Sequence, residues 1–271
     1  MIIDFHTHVF PDKIAEKTVL SLAEKANVKP YTNGTVDNLL SSMEKAGVDI
    51  CVALPVLTSP KQFDSVNRFA LELNERFANT TKRIISFAGI HPNCEDIDAK
   101  MRFIKDNGFL GVKIHPDYQN TFIDDEKYLK IIELANKFDL IILTHAGVDD
   151  GFIGEPVKCS PERVKKVIEK LKPNKFILAH YGASKMWQEV LENLCGLNVY
   201  LDTSFTFNNI SDELFIKILN KHGADKILFA TDSPWQDLDY SVKKFKSLKL
   251  EKCDEDKILF KNATKLLKIG E

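Results

Sequence analysis

Eight short apolar runs alternate with longer stretches of helical period along this 271-residue chain, and that alternation restricts its fold more than any other feature. The runs lie near Ile2–His6, Ile50–Leu54, Ile84–Ile90, Leu110–His115, Leu140–His145, Lys175–His180, Leu197–Asp202 and Lys226–Asp232. Their apolar residues are largely continuous, as in parallel strands covered on both faces. Between them, Glu162–Leu171 sets Val164, Val167, Ile168 and Leu171 at helical spacing, with Ser160-Pro161 as cap and first turn. Glu126–Phe138 repeats the pattern with Leu129, Ile132 and Ala135, and Asp254–Lys268 does so with Ile258, Leu259, Ala263, Leu266 and Leu267. Eight β–α repeats predict an α/β fold, a (β/α)8 TIM barrel, over an open doubly wound sheet. No G-x-G-x-x-G follows the first run to support a dinucleotide fold. Nothing marks a linker or a repeat of short period, so one domain is expected over 1–271.

Composition adds boundaries. The chain is 44% hydrophobic and 28% charged, an ordinary globular balance. A formal net charge of -2 gives no electrostatic reason to expect nucleic acid or an anionic membrane as partner. No apolar run approaches the roughly eighteen residues of a membrane span, and the first residues lack a signal-type pattern. Cys51, Cys94, Cys159, Cys195 and Cys253 are odd in number, scattered and without a C-x-x-C pair. They read as buried free thiols, and the expected compartment is the cytoplasm.

Function is written in the histidines. Of seven, His6, His8, His91, His115, His145 and His180 fall at or just past predicted strand ends, and only His222 falls in a helix. In a barrel, the carboxyl ends of the strands build the active site. His6-Thr7-His8 projects two imidazoles to one face of an extended strand. With His145 and Asp232 ending two later strands, three imidazoles and one carboxylate converge on a set suited to one divalent cation, Zn²⁺ above Mn²⁺, Fe²⁺ or Co²⁺. Any one of these histidines is more often a hydrogen-bonded rim residue than a ligand; the joint pattern changes the balance. Lys113 and His115, two apart on one strand, share a face on which a substrate carboxylate could be gripped. Trp235, close after Asp232, is expected to line the pocket, whereas Tyr118, Trp187 and Phe207 default to core or lid packing. The glycine-containing segment 146–160 is long enough for a lid. Ser233 has no histidine base patterned beside it, which argues against a serine nucleophile.

Taken in order, Asp4-Phe5-His6-Thr7-His8, the strand-end His145, Ala179-His180-Tyr181-Gly182, Ala230-Thr231-Asp232-Ser233-Pro234 and the closing Lys261-Asn262-Ala263-Thr264-Lys265-Leu266 resemble the amidohydrolase superfamily. The nearest branch is the one typified by aminocarboxymuconate-semialdehyde decarboxylase. The resemblance implies that His6, His8, His145 and Asp232 bind the metal and that His180 orients substrate or activated water. Some superfamily members carboxylate a fourth-strand lysine to bridge a second metal, a role open to Lys113; the bland alternative is a lysine snorkelling to the rim. Tyr181 and Ala183 depart from the glycines that relatives often carry there. Gly89-Ile90-His91-Pro92 and Thr231-Asp232-Ser233-Pro234 are also similar to TatD-type nucleases, but Phe109 stands where that group has a metal-binding glutamate. His91, a lone histidine beside a proline, is expected to be structural or to support the ligands from behind.

The expected activity is hydrolysis of an amide, ester or lactone bond in a small, carboxylate-bearing substrate. A cation held by neutral imidazoles lowers the pKa of bound water from roughly 15.7 towards about 7. Asp232 would serve as general acid–base, and His180, Lys113 or His115 would stabilise developing charge. The alternative is non-oxidative decarboxylation on the same metal site; below it rank a nuclease and a barrel that binds a ligand without turnover. A homodimer through exposed helices is compatible with the sequence.

Overall fold

A computed structural model describes residues 1–80 and 83–270. Its strands are β1 (Ile3–Thr7), β2 (Ile50–Ala53), β3 (Arg83–Ser86), β4 (Ala88–Gly89), β5 (Gly111–Ile114), β6 (Ile141–Thr144), β7 (Phe176–Leu178), β8 (Tyr200–Asp202) and β9 (Ile227–Leu228). All pair in parallel, in the orders β1-β2-β3 and β4-β5-β6-β7-β8-β9. β3 and β4 flank Phe87 and form one stave, so the single run expected over Ile84–Ile90 is broken there. The last stave returns to the first: Phe5 N–H donates to Phe229 O at 2.9 Å and Asp232 N–H to His6 O at 2.8 Å. The result is a closed eight-stave barrel wrapped by helices, the architecture the alternation predicts.

Side-chain alternation divides the core in two. Phe5, Val52, Leu54, Phe87, Leu143, Ile177 and Leu228 pack with one another inside the barrel, and Ala263, Leu266 and Leu267 join them. Cys51, Val112, Ile114, Ile142, Leu201 and Phe229 belong instead to the layer shared with the helices. β1 breaks this regularity. From Asp4 to Thr7 it takes three steps while β2 takes two, from Cys51 to Ala53, which is a β-bulge. The extra residue lets Phe5 and His6, neighbours in sequence, both face the interior. Phe5 meets Phe87 edge-on at 5.9 Å, and His6 opens the polar layer above.

The expected helices Glu162–Leu171 and Glu126–Phe138 appear as Pro161–Leu171 and Glu126–Lys137, the first capped by Ser160 on Arg163 N–H. The terminal helix expected over Asp254–Lys268 is interrupted by a π-turn at Lys257–Lys261. Ile258 O accepts Phe229 N–H at 2.9 Å, so the barrel competes for a carbonyl the helix would use. Burial of the thiols is partial: Cys51, Cys94 and Cys159 are buried, Cys195 is half-buried and Cys253 is exposed. Among the described residues, no helix is long and apolar enough to cross a membrane.

Asp4 ties the closing seam. Its carboxyl receives Thr231 N–H at 3.0 Å, His6 N–H at 3.1 Å and the Thr231 hydroxyl at 2.5 Å. Burial outweighs these bonds and pushes its pKa from 3.8 up to about 7. Between those values the folded protein holds a proton that the unfolded chain releases. Asp4 therefore contributes stability that is complete below pH 3.8 and lost as pH rises towards about 7. Asp4→Asn should flatten that part of the pH dependence, as read by urea unfolding at pH 5 and pH 7.5.

Candidate metal centre

At the carboxyl ends of the staves, a cavity of about 690 Å³ reaches down to His6, His8, Lys113, His115, His145, His180 and Asp232. Three of the four expected ligands meet closely. His6 Nε2 lies 3.2 Å from His8 Nε2 and 3.3 Å from Asp232 Oδ1, and His8 Nε2 lies 3.1 Å from the same oxygen.

The partners on the far side of each ring decide what this cluster is. His6 Nδ1 is 2.9 Å from Asp202 Oδ2, and His8 Nδ1 is 2.8 Å from Leu54 O. Both are acceptors, so both Nδ1 atoms carry the proton and both Nε2 atoms present lone pairs. Two lone pairs facing a carboxylate oxygen repel one another unless a cation lies among them. A second group, His115, His145 and Asp149, also places donor atoms within 4.8 Å of one another. His145 belongs to this group and not to the tight cluster. Its ring stacks on His115 at 4.3 Å, and its Nδ1 lies 2.9 Å from His180 Nε2. Since Ser204 O accepts from His180 Nδ1 at 3.1 Å, His145 Nδ1 is the donor to His180. That leaves His145 Nε2 as a buried lone pair with no hydrogen-bond partner, 3.8 Å from the equally unpartnered Asp117 Oδ2. The chemistry of both clusters fits a bound divalent cation.

Lys113 supplies a positive charge beside them. Its Nζ lies 3.2 Å from His6 Nε2, with the residue 1% exposed. Burial pulls its pKa from 10.5 to about 8 even against Asp202 and Asp232. Burial and then the Lys113 charge hold His6 well below the usual imidazole range; His145 is lowered likewise, by burial and then by His115. All of this favours neutral, ligand-competent rings. Asp232 is pushed up by burial and pulled down further by His6, His8 and His180, so it stays below its ordinary value. Its φ of 73° turns the chain sharply at the rim.

His180 stands in a turn where it and Tyr181 have φ of 59° and 58°. Trp187 Nε1–H donates to His180 O at 3.0 Å, so this tryptophan supports the turn from beneath. Tyr181 points outward, stacked on Phe215 at 4.4 Å, which is how a bulky residue is accommodated beside His180. Trp235 and Tyr118 line the cavity, whereas Phe207 is core. His91 does not line it; its Nδ1 accepts Asn93 N–H at 3.1 Å. Segment 146–160 contributes Val148, Asp149 and Asp150 to the wall, and Lys25 from helix Asp12–Ala26 caps Phe152 at 3.5 Å.

Three carboxylates were missed by the sequence reading. Asp202 ends a predicted strand as Asp232 does, so the same strand-end signal marks it. Asp117 and Asp149 stand in loops, beyond any periodic pattern. Asp202 is fully buried and accepts from His180 N–H at 3.1 Å, Ser204 N–H at 3.0 Å and the Ser204 hydroxyl at 2.5 Å as well as from His6.

The sequence profile of the amidohydrolase family matches residues 3–269. The chain belongs to the amidohydrolase family. A γ-resorcylate decarboxylase of Polaromonas sp. (strain JS666) is 35% identical over 73 residues, which is 27% of this chain and 22% of that relative. The match therefore spans about a fifth of the curated relative. A dihydroxybenzoic acid decarboxylase from Polaromonas sp. JS666, solved with manganese and the inhibitor 2-nitroresorcinol, shares the fold with a TM-score of 0.71 at 18% identity, covering 100% of this chain and 97% of its own. An uncharacterized TIM-barrel protein from Bordetella bronchiseptica does so with a TM-score of 0.76 at 16% identity, covering 98% of each chain. These structural likenesses establish the barrel.

If Asp202 fixes the tautomer of a metal-binding His6, Asp202→Asn should weaken divalent-metal affinity by about 10–100-fold, as carboxylate partners of ligand histidines do. Titration with Zn²⁺ or Mn²⁺ against a competing chelator measures it.

Proposed function

We propose that this protein is a metal-dependent decarboxylase acting on a hydroxylated aryl carboxylate. The reading rests on one observation above all: the proton-free Nε2 atoms of His6 and His8 and the Asp232 carboxylate meet next to the buried Lys113. The relatives named as decarboxylases of dihydroxybenzoates favour carbon–carbon cleavage over the hydrolysis that the sequence first suggests.

In this reading His6, His8 and Asp232 hold the ion, while His145 belongs to the second group, with His115 and Asp149. Two imidazoles and a carboxylate suit Zn²⁺, and the manganese of the Polaromonas structure makes Mn²⁺ the next ion to test. When bound, the ion supplies positive charge that anchors an anionic head and lowers the energy of charge developing on its oxygens.

The chain's own groups do the rest. Lys113 and His115 lie on one face of the β5 stave and hold the substrate carboxylate. Asp232, ionised at the outset, takes the proton of a phenolic hydroxyl and delivers it to the ring carbon bearing the carboxylate. A C–H bond forms there, the C–C bond breaks, its electron pair returns to the ring, carbon dioxide leaves, and the phenolate that remains takes a proton from water. Lys113 stabilises the phenolic oxygen while it is negative. The small-molecule cavity and the formal charge of -2 both argue against nucleic acid as substrate.

The test is carbon dioxide release from 2,6-dihydroxybenzoate and its isomers by protein loaded with Zn²⁺ or Mn²⁺, beside a panel of lactones, esters and amides. Decarboxylation that disappears in His8→Ala, together with inert lactones, is the expected outcome. Turnover of a lactone, ester or amide without carbon dioxide release would replace this reading by hydrolysis. Lys113→Met should raise KM by roughly tenfold or more, the loss of one charge-assisted contact to the substrate carboxylate.

A further inference from the structure

Two walls of the cavity are largely apolar, with Lys17, Ser21 and Ser65 among their polar members. On the helix Asp12–Ala26, the residues packed into the barrel are Ala15, Val19 and Ala23. Ile14, Thr18 and Leu22 form a separate stripe, about 100° round the axis by the 3.6-residue period, and this stripe lines the cavity. The helix Phe63–Phe77 does the same: Phe63, Asn67, Ala70, Leu73 and Phe77 are buried, while Val66 and Phe69 are half-buried and line the cavity from the other side. Each helix thus carries apolar surface beyond what its seat on the barrel uses. Ile14 is 51% exposed, a cost to a surface that faces water alone.

The charges lining the cavity are asymmetric. Among the described residues no arginine lines it, and its cations besides the histidines are Lys113 on the floor and the exposed Lys17 on the rim. Asp149 and Asp150 stand in the loop wall. One carboxylate finds a buried partner in Lys113; a second has only the solvent-exposed Lys17 at the rim, among acidic loop residues and apolar helix faces. A volume of about 690 Å³ is also in the range of sites that enclose a drug-sized ligand, generous for a single-ring acid.

We propose that the space between helices Asp12–Ala26 and Phe63–Phe77 is a subsite for an apolar tail. The substrate is then a monocarboxylic aryl acid bearing an alkyl or aryl substituent. This rests on the decarboxylase reading for the position of the head and adds the class of acid. The tail loses water against Leu22, Val66 and Phe69, while the head is held by the ion-binding cluster and Lys113.

The experiment is calorimetric titration of protein shown by elemental analysis to carry Mn²⁺, with three probes: 2-hydroxybenzoate, 6-pentyl-2-hydroxybenzoate and 2-hydroxyisophthalate. The pentyl acid should bind at least about 50-fold more tightly than 2-hydroxybenzoate, since each buried methylene is worth about fourfold. The dicarboxylate should bind more weakly than either. Leu22→Asp and Val66→Asp, on different helices, should each bring the pentyl-to-plain ratio close to one, so that a folding defect in one variant cannot imitate the result. Equal affinities for the pentyl and plain acids, or tightest binding of the dicarboxylate, would overturn the subsite. Failure of all three acids to bind the metal-loaded protein would overturn the carboxylate-head reading itself, and the two failures are distinguishable.

Discussion

A single buried carboxylate governs how the centre of this barrel is arranged. Asp202 accepts the Nδ1 proton of His6 and so turns the Nε2 lone pair towards His8 and Asp232; it also receives the backbone N–H of His180. Without an acceptor behind His6, its proton could sit on either nitrogen, and the ring would be as ready to donate into the cluster as to coordinate. The carbonyl of Leu54 does the same work for His8. The fitness of the site for a cation thus follows from acceptors that lie behind the rings.

The electrostatics around this cluster are those of a dry site. Burial is the leading influence on Lys113, His6, His115 and His145, and it acts in one direction, against positive charge. Asp117 shows the acidic counterpart, pushed up to about 6 by burial with Asp149 adding to it. A divalent ion would relieve both tendencies, since it gives neutral rings a partner and carboxylates a reason to remain ionised. The expected lid segment contributes here as wall: through Asp149 it places an acid 3.4 Å from His115 Nε2.

Much of this was legible in the sequence, for identifiable reasons. Parallel strands covered on both faces leave unbroken apolar runs, so the eight staves were visible, and histidines at their ends named the rim. The hydrogen-bonded strands stop sooner than the runs do. β7 ends at Leu178, just before the positive-φ turn at His180. β9 ends at Leu228, after which the N–H groups of Phe229, Ala230 and Thr231 donate to Ile258 O, Thr203 Oγ1 and Asp4 Oδ1. The pairing of His145 with His115 was hidden, since the tilt of one stave against the next, not spacing along either, decides which rim residues meet. Asp117 and Asp149 were hidden for a different reason: loop residues carry no period. The competition for Ile258 O that widens the last helix is likewise a tertiary contact that helix propensity does not anticipate.

The bulge in β1 has a consequence for how such a molecule can change. Because Phe5 and His6 both face inward, the ring that plugs the barrel and the ring that offers a lone pair are adjacent along one backbone. No spacer insulates the two. Reshaping the plug around Phe5 and Phe87 would alter the angle at which His6 is presented, so mutational drift in the interior would be felt in the polar layer above. Residues usually free to exchange among apolar types are here tied to the geometry of the histidine cluster.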